Sequence, residues 1–428
     1  MNRRFFVTVL TILSLTYNRR CVCFKSTVSS LSFTSSSSVI MSSKRNNDDT
    51  TTAKVKKQKV SETSNDDKKE SSPSKRKFGP RDDDTKSKES MPRDSITPLP
   101  LDDTKKYLKL MSWNVAGLRG LLKNKPNIIN DIVDTHSPDV FCLQEHKLQS
   151  SHLDDFENLL ESKGYTGYWT CSDVKKGYSG VAVFIKGVQP KKKTAGAATL
   201  TSMWSKKEKN EQKNETNSNL NVIDVKFDLE DKKFSGEGRT ITVEFDTFYF
   251  IGCYVPNSGQ NLERLDYRVD EWDPYMRNYL LELQKKKPII FAGDLNCGYA
   301  DIDIHNPTAK HIVKQAGLTP RERSSFGEFF NIGFVDAFRY FYPNAIGQFS
   351  YWSQRTFARE VNKGIRLDYF ICSNSMAPDH DKEVNNEDLR RQVLNKSFNH
   401  PTLYDSYILD TDTIGSSDHC PVVLVLQK

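Results

Sequence analysis

The chain has no CxxC pair and no cysteines and histidines at zinc-ligand spacing. That excludes a zinc ribbon, a zinc finger and a dithiol redox centre. The eight cysteines are scattered instead: Cys21 and Cys23 near the start, then Cys142, Cys171, Cys253, Cys297, Cys372 and Cys420. Several of them lie inside apolar runs, so reduced core thiols of an intracellular protein are expected rather than a disulfide framework. A membrane-spanning run is also lacking. The stretch from Phe5 to Tyr17 is too short and too broken by threonine, and no membrane association is expected of the mature domain. No internal repeat is visible. Hydrophobic residues make up only 36% of the chain, which implies that part of it does not fold.

An overall charge excess in the folded part is lacking as well. Residues 1–100 carry 20 Lys and Arg against 11 Asp and Glu, a net of +9, while the whole chain nets +7 and the remainder therefore −2. Nucleic-acid binding by such a domain requires its charges to be segregated on one face. Residues 1–40 read as a targeting segment: Arg3 and Arg4 precede the apolar run, and a basic Ser/Thr-rich stretch follows. Residues 41–103 read as a polar, disordered tail. Two basic clusters within it, Lys54 to Lys59 and Lys75 to Lys77, are of the kind that directs nuclear import. The nucleus is the expected location, with a mitochondrion or plastid as the alternative if the first segment acts as a transit peptide. Removing residues 1–96 is expected to leave catalysis intact.

The folded domain is placed at 104–428. Apolar strands are read at Lys105–Val115, Asp139–Gln144, Gly180–Ile185, Thr240–Phe245, Phe248–Tyr254, Pro288–Asn296, Leu367–Cys372 and Pro421–Leu426. Helical spacing is read at Ile128–Val133, at Leu153, Phe156, Leu159 and Leu160, and over Tyr275–Lys287. Residues 191–219 are polar and aperiodic, a mobile insertion. Hairpins mixed with helical crossovers predict an α/β fold, two packed mixed β-sheets with helices outside.

Polar residues recur at one kind of place, the ends of the apolar strands. Asn114, Glu145, Tyr254, Asn257, Asp294 and Asn296 follow strands; Asp368 opens one, and Asp418 and His419 precede another. Each alone has a dull explanation as turn chemistry. Together they are expected to converge on one rim. Converging carboxylates need a cation, and oxygen donors without cysteine favour a hard ion, Mg²⁺ or Mn²⁺. Carboxylates, amides, a Tyr hydroxyl and a His suit phosphodiester hydrolysis.

The segments SWNVAGLRG, CLQEHK, GYSGVAVF, CYVPNSG, FAGDLN, RLDYF and GSSDHCPV, in this order, resemble the motifs of the exonuclease III family of apurinic/apyrimidinic (AP) endonucleases. The resemblance covers about 104–428 apart from the insertion, and NPTAKHIVKQAGLTPRER is similar to the segment that follows the family's GDLN motif. It implies a four-layered α/β sandwich of the DNase I-like superfamily. It implies a monomeric, Mg²⁺-dependent enzyme of base excision repair that acts on double-stranded DNA with abasic sites. Such an enzyme cuts 5′ to the lesion, leaving a 3′-hydroxyl and a 5′-deoxyribose phosphate, with 3′-phosphodiesterase and 3′→5′ exonuclease activity at the same site.

By the same resemblance, Asn114, Glu145 and Asp418 match metal-site positions, with Glu145 the direct ligand and Asp294, Asn296 and His419 adjoining. Tyr254 and Asn257 match phosphate-site residues. Asp294 matches the residue that activates water or protonates the leaving group, and Asn296 its partner. Asp368 matches the carboxylate that orients the His, here His419. On the DNA-facing side, Tyr351, Trp352, Ile365 and Leu367 match the pocket for the flipped-out sugar. Arg355 matches a minor-groove residue, and Arg119, Gly177 and Tyr178 match backbone contacts. The sequence departs from the family at Ala116, Asp in many eukaryotic members; at Met111, a Cys in mammalian ones; and at Ile365 and Gln260, Trp and Arg in animal members. The alternatives are another phosphodiesterase of the superfamily, acting on an inositol phosphate or a sphingolipid, and a DNA-binding protein with a decayed site.

Overall fold

A computed structural model describes residues 90–188, 220–378 and 399–428, all within one compact unit, Lys77–Lys428. The targeting segment, the basic clusters and the insertion 191–219 lie outside the described residues.

Two sheets of six strands form the centre. The first contains β1 (Tyr107–Asn114), β2 (Val140–Gln144), β3 (Tyr165–Thr170), β4 (Val181–Lys186), β11 (Thr402–Ile408) and β12 (Val422–Gln427), in the order β11-β12-β1-β2-β4-β3. The second contains β5 (Val222–Phe227), β6 (Thr240–Phe245), β7 (Tyr249–Tyr254), β8 (Ile289–Asp294), β9 (Phe334–Asp336) and β10 (Asp368–Ser373), in the order β5-β6-β7-β8-β10-β9. One parallel pair sits at the centre of each sheet, β1 with β2 and β7 with β8; all other pairs are antiparallel. Central strands are covered on both faces, which is why β8 reads as the continuous apolar run Ile-Ile-Phe-Ala and is buried throughout.

Alternation along the strands builds the layers. Leu108 and Leu110 of β1, Phe250 of β7, Ile290 and Ala292 of β8 and Phe370 of β10 fill the space between the sheets. Met111 and Trp113 point the other way, onto α1 (Leu118–Asn124) and α2 (Ile128–His136). Ile251 and Phe291 point onto α3 (Asp273–Gln284) and α4 (Pro320–Asn331). The four-layered α/β sandwich is therefore present. A short α5 (Ala337–Phe341) follows β9, capped by the Asp336 carboxylate.

Three readings of the sequence are corrected. The stretch around Leu153–Leu160 is not an α-helix but two 3₁₀ segments, Ser150–Asp155 and Glu161–Lys163. Leu153, Phe156 and Leu159 are spaced by three, the 3₁₀ period, and all three pack against the core under α1 and α2. The tail expected to run to 103 meets the domain earlier. Met91 N–H donates to the Val361 carbonyl at 3.0 Å, Leu99 N–H donates to the Asp405 carboxylate at 3.1 Å, and Arg93 pairs with Asp410. The packed domain thus starts by Met91 rather than at Thr104. Finally, β3, β5, β9 and β11 have no counterpart in the sequence reading.

Candidate active site

The strand directions put the polar ends together. β1, β2, β7 and β8 all end at the same rim, while β10 and β12 begin there. Asp368 pairs in register with Asp294 across the β10–β8 ladder. Asn114 and Asp294 continue the alternation of the residues that fill the space between the sheets, so their side chains meet there: Asn114 Nδ2 donates to Asp294 Oδ2 at 2.8 Å and to Glu145 Oε1 at 2.9 Å. The Ala116 N–H donates to Asn114 Oδ1 at 2.9 Å, which fixes the amide's orientation. Glu145, Asn296 and Ala116 hold positive φ values of 52°, 48° and 51°. Left-handed backbone at non-glycine residues costs about 1–3 kcal/mol each and is characteristic of sites whose surroundings impose it.

His419 Nδ1 lies 2.7 Å from Asp368 Oδ2, and its Nε2 lies 3.8 Å from Asp294 Oδ2. Burial alone would lower the imidazole's pKa, but Asp368 first and Asp294 second outweigh it and raise it to about 10. The ring is therefore an imidazolium at neutral pH. Asp294 is pushed up to about 7, by burial first and then by the neighbouring charges of Asp368 and Glu145, with His419 opposing. Asn296 N–H donates to Asp294 Oδ1 at 2.9 Å, and Asn257 Nδ2 donates to Asn296 Oδ1 at 2.9 Å. Burial, followed by the charges of Glu145 and Asp294, keeps the Tyr254 hydroxyl protonated, so it acts as a donor.

Glu145 stays ionised. Burial opposes its charge, but Lys147 Nζ at 2.9 Å and the Asn114 amide hold its pKa below the usual value. Lys147 Nζ also donates to the Ala116 carbonyl at 3.4 Å. The carboxylate and amide oxygens of Glu145, Asp294 and Asn114 suit a hard divalent cation. Among the described residues no three His, Cys, Asp or Glu side chains form a metal-binding group. An ion here would keep waters and take substrate oxygens, as Mg²⁺ usually does. Replacing Glu145 with Ala is expected to raise the divalent-cation concentration for half-maximal rate at least about tenfold. An unchanged metal titration would remove Glu145 as a ligand.

The residues expected to face DNA are distributed more widely. The Tyr351 ring packs on His419, centroids 4.9 Å apart, and its backbone pairs with Ile365. Trp352 lies in a separate small core with Phe349 and Cys420, and its backbone N–H donates to the Asp418 carbonyl at 2.9 Å. Ile365 packs against Ile304, Ile312 and Leu318, and Leu367 is buried. Asp418 is half-buried, while Arg119, Gly177 and Arg355 are exposed. The Tyr178 hydroxyl accepts from Arg239 at 2.5 Å and from Arg264 at 2.8 Å, and Arg239 stacks on Tyr254 at 4.9 Å.

Two supporting residues had no signal in the sequence. Buried Arg268 donates to the carbonyls of Pro256 at 2.8 Å, Leu295 at 2.8 Å and Asn296 at 3.3 Å, tying together the loops that carry Asn257 and Asn296. Buried Arg366 binds Asp303 at 2.8 Å and Asp336 at 2.6 Å, which anchors the chain just ahead of Asp368.

The profile of the Endonuclease/Exonuclease/phosphatase family matches residues 111–419. The chain is 35% identical to an exodeoxyribonuclease of Bacillus subtilis over 74% of its own length and 99% of that protein's. It is 33% identical to the DNA repair nuclease APEX1 of Danio rerio, over 74% of this chain and 82% of that one. Among solved structures it resembles the AP endonuclease LMAP of Leishmania major, with a TM-score of 0.58 and 29% identity, covering 77% of this chain and 90% of that one. With a match that runs from within β1 to His419, the chain belongs to the Endonuclease/Exonuclease/phosphatase family.

Proposed function

We propose that this protein is a Mg²⁺-dependent AP endonuclease of base excision repair. The observation that carries the proposal is the buried Asp368–His419–Asp294 arrangement at the rim, with Asn114 and Asn296 fixing the Asp294 oxygens. In its ionised form Asp294 takes a proton from water. The water oxygen bonds to phosphorus, and the bond from phosphorus to the 3′ oxygen on the 5′ side of the lesion breaks. The 3′ oxygen leaves as a hydroxyl, taking up the proton that Asp294 accepted from the water, and the 5′-deoxyribose phosphate remains on the other fragment. The His419 imidazolium and the Tyr254, Asn257 and Asn296 donors stabilise charge on the phosphoryl oxygens. A bound divalent cation, held by Glu145 with Asn114, would supply further charge neutralisation there. Tyr351, Ile365 and Leu367 form the apolar side that admits a base-free sugar. A DNA-repair role places the protein with DNA, and the nucleus is the location we assign.

The test is incision by the full-length chain of a labelled duplex holding one tetrahydrofuran abasic analogue, with Mg²⁺ and with EDTA. Mg²⁺-dependent cleavage 5′ to the analogue, with an undamaged duplex left intact, is expected. Binding without incision would mean a decayed site, and neither binding nor incision would point to small-molecule phosphodiesters.

A further inference from the structure

Asp368 and His419 belong to different sheets. Asp368 opens β10 of the second sheet, and His419 precedes β12 of the first. Residues 350–352 run between the two chains that carry them. Tyr351 forms an antiparallel bridge to Ile365 on one side and to His419 on the other. Ser350, just before it, is fully buried, and all its polar groups are engaged. Its N–H donates to the Ile365 carbonyl at 3.1 Å, and its carbonyl accepts from the Cys420 N–H at 2.9 Å. Its Oγ accepts from the Leu367 N–H and from the Asp368 N–H, both at 3.0 Å.

The double contact at Oγ marks a bend. Consecutive N–H groups of an extended chain point to opposite sides, so two of them reach one oxygen only where the chain turns, here as it enters β10. No neighbouring strand could take these donors on the outer side, because β9 pairs with β10 only at Ile371, Cys372 and Ser373. Buried N–H groups require an acceptor, and the serine hydroxyl supplies it for both. The Asp368 carboxylate depends on that backbone for its direction. Its Oδ2 meets His419 Nδ1 at 2.7 Å, while the buried Oδ1 has no hydrogen-bond partner among the described residues. His419 has anchors of its own. Its N–H donates to Ser417 Oγ at 3.1 Å, Ser417 Oγ donates to the Asn114 carbonyl at 2.9 Å, and the Trp113 indole N–H donates to the His419 carbonyl at 3.2 Å. The aspartate is therefore the less constrained member of the pair.

We propose that Ser350 is a positioning residue for the Asp368–His419 pair, an inference that rests on the AP endonuclease reading. Its hydroxyl fixes the backbone from which the Asp368 side chain leaves, and its carbonyl fixes the backbone next to His419. One buried residue thereby holds chains from two sheets at the separation that the 2.7 Å contact requires. Ser350 does not touch the reacting groups; it acts only through the pair. Alanine at this position would leave two buried donors without an acceptor, and the start of β10 would shift to satisfy them.

The test uses the full-length chain with Mg²⁺ and saturating abasic duplex. Ser350→Ala is expected to lower kcat about tenfold with KM within about twofold, since a misplaced group costs rate rather than uniform binding. Ser350→Thr keeps the hydroxyl and should restore kcat to within about threefold of the wild type. In a His419→Asn background, Ser350→Ala should cost less than about twofold, because the pair it positions is already lost. Proton NMR adds a readout that needs no substrate. The Nδ1 proton of His419, in its short charge-assisted bond to Asp368, resonates far downfield; that signal should persist in Ser350→Thr and disappear in Ser350→Ala. Where Ser350→Ala fails to fold, Ser350→Cys, with its weaker acceptor, takes its place in the same comparisons. A wild-type kcat in the hydroxyl-free variant, an equal loss of rate in both backgrounds, or an unchanged downfield signal would overturn the positioning role. If the wild-type chain fails to incise, the AP endonuclease reading fails and the NMR signal alone decides on Ser350. If it incises and the variant is as fast, only the positioning role fails.

Discussion

Asp294→Asn is expected to lower the rate of incision by about 10²–10³ while leaving the affinity for abasic duplex within a few-fold, because it removes the carboxylate we propose takes the water's proton. Asn keeps an acceptor for the Asn296 N–H, so the loop after β8 should hold its course. A second consequence concerns stability. The folded-state pKa of Asp294 is raised to about 7 from the ordinary Asp value of 3.8. Folding therefore favours its protonated form, and its ionisation costs stability as pH rises through that window. In Asp294→Asn this share of the pH dependence should disappear from thermal unfolding measured between about pH 4 and pH 7. Incision at a near-wild-type rate would show that Asp294 is not the proton acceptor.

His419→Asn should reduce the rate by a similar factor, about 10²–10³, through loss of the imidazolium we propose stabilises the phosphoryl oxygens. The companion variant Asp368→Asn separates charge from orientation. In the wild type the His419 pKa is raised to about 10, so the charged ring persists through neutral and mildly alkaline pH. The associated stabilisation is complete below the ordinary histidine value of 6.5 and is lost as pH rises toward 10. Asp368 is the largest influence raising that pKa against burial. Without it, the alkaline limb of the pH–rate profile should move down toward neutrality, and activity should recover partly at lower pH. An alkaline limb that stays in place in Asp368→Asn would mean that the pair does not control the charge of His419.

Eight strands were legible as apolar runs, and all eight are inner strands, paired on both sides. The four that were not legible, β3, β5, β9 and β11, are the edges of the two sheets. The reason is physical. An edge strand is paired on one side only, so it is short, broken by polar residues, or irregular. β9 has three residues, β5 is mostly exposed, and β11 carries a bulge between Leu403 and Asp405. The 3₁₀ segments between Ser150 and Lys163 were misread because a spacing of three is easily taken for one face of a helix.

The polar strand ends that make up the candidate site were legible for a related reason. A carboxylate or amide at the end of a buried strand needs a partner, and the sequence shows several such ends at once. Residue identity and strand period alone place Asn114, Asp294 and Asp368 at the ends of apolar strands, where polar side chains need partners. Other features depend on contacts between residues far apart in the chain. Register brings Asp368 opposite Asp294, Arg268 gathers three loop carbonyls, Lys147 reaches the Ala116 carbonyl, and Met91 holds the Val361 carbonyl. The pKa values of Asp294 and His419 belong to this second group. Each is set by burial and by charges up to 149 residues away in the chain, from Glu145 to Asp294, and no local pattern records them.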